Sequence, residues 1–171
     1  MITVDTNAAE LFFCQRLSDQ NISFERKRLD LGDVIVSNAS VNFVLERKSW
    51  SDLAASICDG RWLEQQSRMN SMTFDDEKKT MFGYIIEGPL IDWTKTTSMN
   101  PKSMWGALIK AQVRDGFYVF HTCDKESSVE LIVYLQKQLA SDGFDAVASS
   151  RVISGLGQKR KREKLSDASS M

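Results

Sequence analysis

Asp33, Glu46 and Lys48 are the residues whose types and spacing best suit chemistry. They lie in the stretch LDLGDVIVSNASVNFVLERKSWSD, residues 29–52. Two apolar runs, Val34 to Val36 and Val41 to Leu45, flank a polar Ser-Asn-Ala-Ser turn, which predicts a β-hairpin. Whether its loop has two residues (Ala39, Ser40) or four (Asn38 to Val41), residues whose numbers sum to 79 face each other. Asp33 then falls opposite Glu46. Opposed residues of an antiparallel pair project to one face, with Cβ atoms about 5 Å apart. Lys48 shares the Glu46 face and Arg47 points away, because side chains alternate along a strand. Two carboxylates and an ammonium thus converge at one end of a hairpin, the outline of a metal-and-lysine site. An isolated Glu-x-Lys pair on a strand is ordinarily a solvated face, and the opposed Asp33 sets this one apart.

Other elements must hold that hairpin in place. Ile2 to Val4 predicts a short strand ending on Asp5, and Ala8 to Leu17 has helical spacing. Ile22 to Lys27 alternates like a second strand. After the hairpin, Ser49-Trp50-Ser51-Asp52 has the form of a capping box and opens a helix through Ile57. Asp59-Gly60 breaks it, and Arg61 to Met69 forms the next helix. Residues 70–80 are polar and predict a loop, followed by a buried strand over Met81 to Ile86. Another loop covers 94–100. Asn100-Pro101 supplies an N-cap and a first-turn proline for a helix ending near Arg114. Phe117 to Phe120 is a strand, and Lys125 to Leu139 a last amphipathic helix. The order β-α-β-β-β-α-α-β-α-β-α predicts an α/β fold, a mixed central β-sheet flanked by α-helices.

The chain has 171 residues, of which 42% are hydrophobic, enough for one globular domain with a real core. No apolar run approaches the roughly 20 residues of a membrane span. The N-terminal residues lack the pattern of a signal peptide. Cys14, Cys58 and Cys123 are scattered, and reduced, mostly buried thiols in an intracellular protein are expected. The net charge of −1 is unevenly placed. From Val147 onward, Arg151, Lys159, Arg160, Lys161, Arg162 and Lys164 stand against Glu163 and Asp167, a net of +4 that leaves about −5 elsewhere. An acidic body argues against a nonspecific DNA coat, since phosphate contact depends on local Lys and Arg placement. Residues 147–171 read as a basic, disordered tail after a domain spanning 1–146.

The spacing GD…ERKxxxD, formed by Asp33, Glu46-Arg47-Lys48 and Asp52, resembles the signature of the XPF-type structure-specific endonucleases. The likeness continues in Ser56-Ile57-Cys58-Asp59-Gly60-Arg61-Trp62-Leu63-Glu64-Gln65, similar to the family's SI-x-DGR-x-x-EQ segment. It continues again in Met104-Trp105-Gly106-Ala107-Leu108 and Gln112-Val113-Arg114-Asp115-Gly116, and so covers roughly residues 1 to 141. The resemblance implies a restriction-endonuclease-like fold of the PD-(D/E)XK type and magnesium-dependent cutting of one DNA strand near junctions, flaps or forks. It implies Asp33, Glu46, Lys48 and Asp52 as catalytic residues, with Asp33 and Glu46 as Mg²⁺ ligands and the Arg47 carbonyl as a third contact. Mn²⁺ is expected to substitute. Mg²⁺ prefers oxygen ligands and keeps several waters, so two carboxylates and a substrate phosphate suffice.

Several of these residues carry a second reading. Asp52 explains itself as the cap of its helix, and both roles are compatible. Arg47 suits an ion pair or a DNA-backbone contact. Arg61 and Arg68 suit phosphate contacts or a solvated helix face. The family often begins V-D-x-R-E, and here Val4-Asp5-Thr6-Asn7-Ala8 lacks both the Arg and the Glu. Asp5 is therefore expected to join the metal site, with Glu10 close behind it in sequence. His121, the single histidine, reads as a strand-end residue. Family members pair through their last two helices, which predicts a homodimer through residues 104–113 and 130–139. Trp62 and Trp105 are expected to pack. The 159–162 basic run suits nuclear import, DNA tethering or a solvated terminus, in a protein of the nucleus or nucleoid. A non-catalytic DNA-binding or scaffolding subunit, and hydrolysis of small nucleotides, stay open beside the endonuclease.

Overall fold

A computed structural model of the chain describes residues 1–72, 78–89 and 99–141. Six strands form one sheet: β1 (Ile2–Val4), β2 (Glu25–Arg26), β3 (Val34–Ser37), β4 (Val41–Ser49), β5 (Lys79–Glu87) and β6 (Tyr118–Thr122). Their order is β2-β1-β3-β4-β5-β6. β1 pairs with β3, and β3 with β4, antiparallel, whereas β2 runs parallel to β1, β5 to β4 and β6 to β5. The helices are α1 (Leu11–Asp19), α2 (Trp50–Cys58), α3 (Arg61–Ser71), α4 (Pro101–Ile109) and α5 (Lys125–Leu139). A 3₁₀ turn at Ala8–Glu10 precedes α1, and a π-helical segment at Lys110–Arg114 extends α4. The mixed sheet with helices on it is the α/β, restriction-endonuclease-like architecture expected.

Each face of the sheet has its own core. On one, Val34 and Val36 of β3 and Phe43 and Leu45 of β4 pack with Phe13 and Leu17 of α1 and Val129 and Ile132 of α5. On the other, Tyr84 and Ile86 of β5 pack with Leu53 of α2, Trp62 and Met69 of α3 and Met104 and Leu108 of α4. Alternation along β4 sends Val41, Phe43, Leu45 and Arg47 to the first face and Asn42, Val44, Glu46 and Lys48 to the second.

Several elements differ from the sequence expectation. β2 keeps only two ladder residues, because Ile22 and Phe24 pack against the α1–α5 core from outside the ladder. Two of the three thiols, Cys58 and Cys123, are exposed, because they sit at the C-terminus of α2 and in the turn after β6. Trp62 is buried as expected, whereas Trp105 is about half exposed. Residues 73–77, Trp93 and most of the 94–100 loop, the 147–171 tail and its 159–162 run lie outside the described residues.

Candidate active site

The hairpin pairs Val34 with Leu45, Ile35 with Val44, Val36 with Phe43 and Ser37 with Asn42, every pair summing to 79. Its turn closes with Asn38 N–H on the Val41 carbonyl at 3.0 Å, while the Asn38 side chain accepts from the N–H groups of Ser40 and Val41. The loop is therefore Ala39-Ser40.

Asp33 sits one step beyond the ladder. Its N–H donates to the Leu45 carbonyl (2.8 Å), and its carbonyl accepts from Asp5 N–H (2.9 Å). Its Oδ2 accepts from Arg47 N–H at 2.8 Å. Gly32 makes this possible: at φ +79°, a Cβ there would lie 2.6 Å from Val44 Cγ1 and 3.1 Å from the Leu45 carbonyl oxygen. Only glycine takes that conformation and that approach without strain. The carboxylate is thus pinned to β4 by a backbone donor rather than by simple extension of the ladder. Burial first, and then the charge of Glu46, push the Asp33 carboxyl up to about 8, against the pull of the Arg47 N–H. Asp33 and Glu46 therefore share one charge environment, as the register argument requires.

Lys48 Nζ lies 3.2 Å from Glu46 Oε1, and both side chains are largely buried. Ser49, not Asp52, caps α2: its Oγ accepts from Asp52 N–H at 3.1 Å and donates to Asp52 Oδ2 at 2.7 Å. Asp52 is exposed at the first turn of α2, three residues beyond the end of β4. The Lys48 ammonium is held by Glu46 and the Asp52 carboxylate by Ser49.

Arg47, on the opposite face, takes the ion-pair alternative. Its Nε and Nη2 each donate to a Glu87 oxygen at 2.9 Å, and Nη1 donates to Glu10. Its guanidinium carbon lies 3.9 Å from the centre of the Phe13 ring. With only 6% of its side chain exposed, Arg47 is a buried structural cation, out of reach of a DNA backbone. Burial raises the Glu10 carboxyl even with Arg47 beside it. The charge of Glu10 reaches both Asp33 and Glu46. Glu87 is a site neighbour that motif reading passes over, and Glu10 enters that reading only for its closeness to Asp5 in sequence. The Asn-x-x-Glu pattern of Asn7 to Glu10 marks a helix start, and Asn7 indeed caps it, but the Glu10 side chain is committed to Arg47 instead.

Asp5 is turned elsewhere. Oδ1 accepts from Leu29 N–H at 2.8 Å and Oδ2 from Asn7 N–H at 3.1 Å. Burial works against its charged form, yet these backbone donors outweigh it and hold the carboxyl below its ordinary value. Among the described residues no three His, Cys, Asp or Glu side chains converge as a metal cluster. Both Asp5 oxygens are thus engaged by backbone donors away from Glu46 and Lys48. Two carboxylates whose charges oppose each other, one raised first by burial and then by its neighbour, are an oxygen donor set that a hard divalent cation would relieve of that repulsion, so the residues fit such an ion. Arg61 is exposed and paired with Asp59 at 2.6 Å, and Arg68 donates to the Asp30 carbonyl at 3.2 Å. His121 lies on β6, with Nε2 2.7 Å from the Gly88 carbonyl oxygen.

Comparison with known proteins gives the family. The chain is 32% identical over 131 residues to the crossover junction endonuclease MUS81 of Eremothecium gossypii, covering 70% of this chain and 20% of that protein. It is 26% identical over 142 residues to the probable crossover junction endonuclease mus81 of Dictyostelium discoideum (71% and 15%). It is 28% identical over 120 residues to the ERCC4 domain-containing protein EP364R of African swine fever virus (68% and 32%). The chain thus spans a third or less of these relatives. Among solved structures, XPF from Aeropyrum pernix superposes with a TM-score of 0.69 at 25% identity, over 98% of this chain and 69% of that one. The same protein in complex with DNA gives 0.64 over 80% and 63%. With residues 4–135 matching the ERCC4 domain, the chain belongs to the XPF-type, ERCC4-domain nuclease family.

Proposed function

We propose that this domain is a metal-dependent, structure-specific endodeoxyribonuclease that hydrolyses phosphodiester bonds near junctions, flaps or forks during DNA repair, recombination or replication. The observation that carries the reading is the largely buried Asp33 and Glu46 carboxylates, whose charges oppose each other, with the Lys48 ammonium on Glu46. Asp33, Glu46 and the Arg47 carbonyl would hold Mg²⁺, or Mn²⁺ in its place. When bound, such an ion polarises the scissile phosphate and lowers the pKa of a water. Lys48 orients the attacking water and offsets the negative charge that develops on the phosphate oxygens. Asp52 is pre-positioned by Ser49 to hold a proton or a water at the edge of that site. Arg47, through Glu10 and Glu87, fixes the strand that carries both Glu46 and Lys48.

DNA is gripped by Arg61 and Arg68 on α3. Support comes from a groove of about 370 Å³ on the Glu46 face of the sheet, lined by Thr3, Ile35 and Asn42 and carrying Lys27, Arg28 and Lys78 against Glu25 and Asp30. The protein acts as a homodimer through residues 104–113 and 130–139. Trp105, Ile109 and Val113 form an exposed stripe at i, i+4, i+8, and Tyr134 is exposed on α5. The rest of α5, including Ile132 and Leu139, is spent on the core. Among the described residues no helix is long and apolar enough to cross a membrane. An intracellular place with the DNA, in nucleus or nucleoid, follows from the same reading.

Incubation with flap, fork and four-way junction DNA and Mg²⁺ or Mn²⁺, beside Asp33→Asn, tests the proposal. Nicks near the branch point by the wild type alone support it, and equal cutting by both proteins sinks it. Ala8, standing where the family has a Glu, favours the second reading, a non-catalytic DNA-binding or scaffolding subunit. Branch-selective binding without cleavage would establish that one.

A further inference from the structure

Tyr84 stands directly beside Glu46 in the parallel β4–β5 ladder, and paired residues point to the same face. Its side chain is completely buried. The ring lies 4.3 Å from Trp62 and 5.7 Å from Phe117, centre to centre. Among the described residues its hydroxyl has no hydrogen-bond partner, and neither does Nε2 of the buried Gln66 on α3. Gln66 is nevertheless near enough to favour negative charge on the phenol oxygen, while burial and then Glu46 disfavour it. Phe82, the preceding residue on the same face of β5, shows that an aromatic ring alone can serve this core. A phenylalanine at position 84 would fill the same space and remove the unpaired hydroxyl. The hydroxyl therefore needs another explanation, and Glu46 is its charged neighbour.

We propose that Tyr84 is a positioning residue for Glu46. Neither bond is made directly in this structure: a side-chain shift brings Gln66 Nε2 onto the Tyr84 oxygen, and one water carries the Tyr84 O–H bond to the Glu46 carboxylate. This uses both capacities of a phenol, one accepted and one donated bond. It holds one Glu46 oxygen from behind while Lys48 holds Oε1, so the carboxylate presents a single orientation to a cation. Hydrogen bonds of this kind to ligating carboxylates alter metal affinity or activity by roughly 10- to 100-fold. The inference rests on the metal-site reading above and adds two residues that the motif does not contain.

Tyr84→Phe tests it, with Mn²⁺ binding measured by titration calorimetry, the thermal midpoint of the metal-free protein, and cleavage kinetics. The expected result is a midpoint unchanged or higher, a Mn²⁺ Kd weaker by about 10- to 100-fold, and a fall in kcat with KM for DNA unchanged. An unchanged Kd overturns the assignment, as does a weaker Kd accompanied by a lowered midpoint, which would mark simple ring packing. A wild-type protein that binds no Mn²⁺ overturns it together with the metal site. A wild-type protein that binds Mn²⁺ but cuts no DNA removes only the nuclease reading, and the comparison of the two Kd values still decides the role of Tyr84.

Discussion

Replacing Asp33 with Asn removes a carboxylate that the folded chain holds at a cost, so the metal-free protein should become more stable. The unfolded chain releases this proton near 3.8, whereas the folded chain retains it to about 8. Between those values unfolding releases a proton, so stability falls as the pH rises from about 4 to about 8 and is level on either side. At pH 7 the penalty is at most about 4 kcal/mol, at ~1.4 kcal/mol per pH unit. Asn keeps an oxygen to accept from Arg47 N–H, which now donates at 2.8 Å, but its amide hydrogens need partners of their own. About 2 kcal/mol should therefore survive, raising the thermal midpoint by roughly 4–8 °C in a domain of this size. The assay is thermal unfolding with a chelator from pH 4.5 to 8.5. The gap between variant and wild type should open with pH, and adding Mg²⁺ should stabilise the wild type alone. A variant less stable than the wild type at pH 8, or a gap independent of pH, would refute the reasoning.

Further outcomes follow from the same contacts. Arg47→Met leaves Glu10 and Glu87 buried without their cation and should cost about 3–5 kcal/mol in urea unfolding. Ser49→Ala removes the α2 cap and the hydroxyl donor to Asp52, at about 1 kcal/mol of stability. A fall in cleavage well beyond that small loss would place Asp52 in the chemistry. Ile109→Glu puts a charge on the exposed α4 stripe and should yield a folded monomer by sedimentation where the wild type sediments as a dimer.

Much of the hairpin was legible because its determinants are local. Two apolar runs around Ser-Asn-Ala-Ser set the register, and Asn38 closes the turn with its own side chain. The Ser49–Asp52 cap and the Asn100-Pro101 start are likewise short-range chemistry. What escaped is non-local. Nothing near Glu10 announces Arg47, 37 residues away, and nothing near Asp5 announces the Leu29 N–H that occupies its carboxylate. Period-two alternation lengthened β2 because Ile22 and Phe24 are apolar for packing rather than for pairing. Tyr84 did leave a trace, as the one hydroxyl within the apolar run Met81 to Ile86. Its neighbour Gln66 became visible only once α3 lay on the sheet.

The central claim, that Asp33, Glu46 and Lys48 cut DNA rather than only bind it, is met most directly by one paired measurement. Single-turnover cleavage of an end-labelled fork with Mg²⁺ is followed for the wild type and Lys48→Met, with fork affinity read by fluorescence anisotropy in Ca²⁺. The account predicts cutting near the branch by the wild type and its loss in Lys48→Met, by about 100-fold or more, with affinity within a few-fold. Fork binding by both proteins with no cleavage by either, or equal cleavage by both, would contradict it.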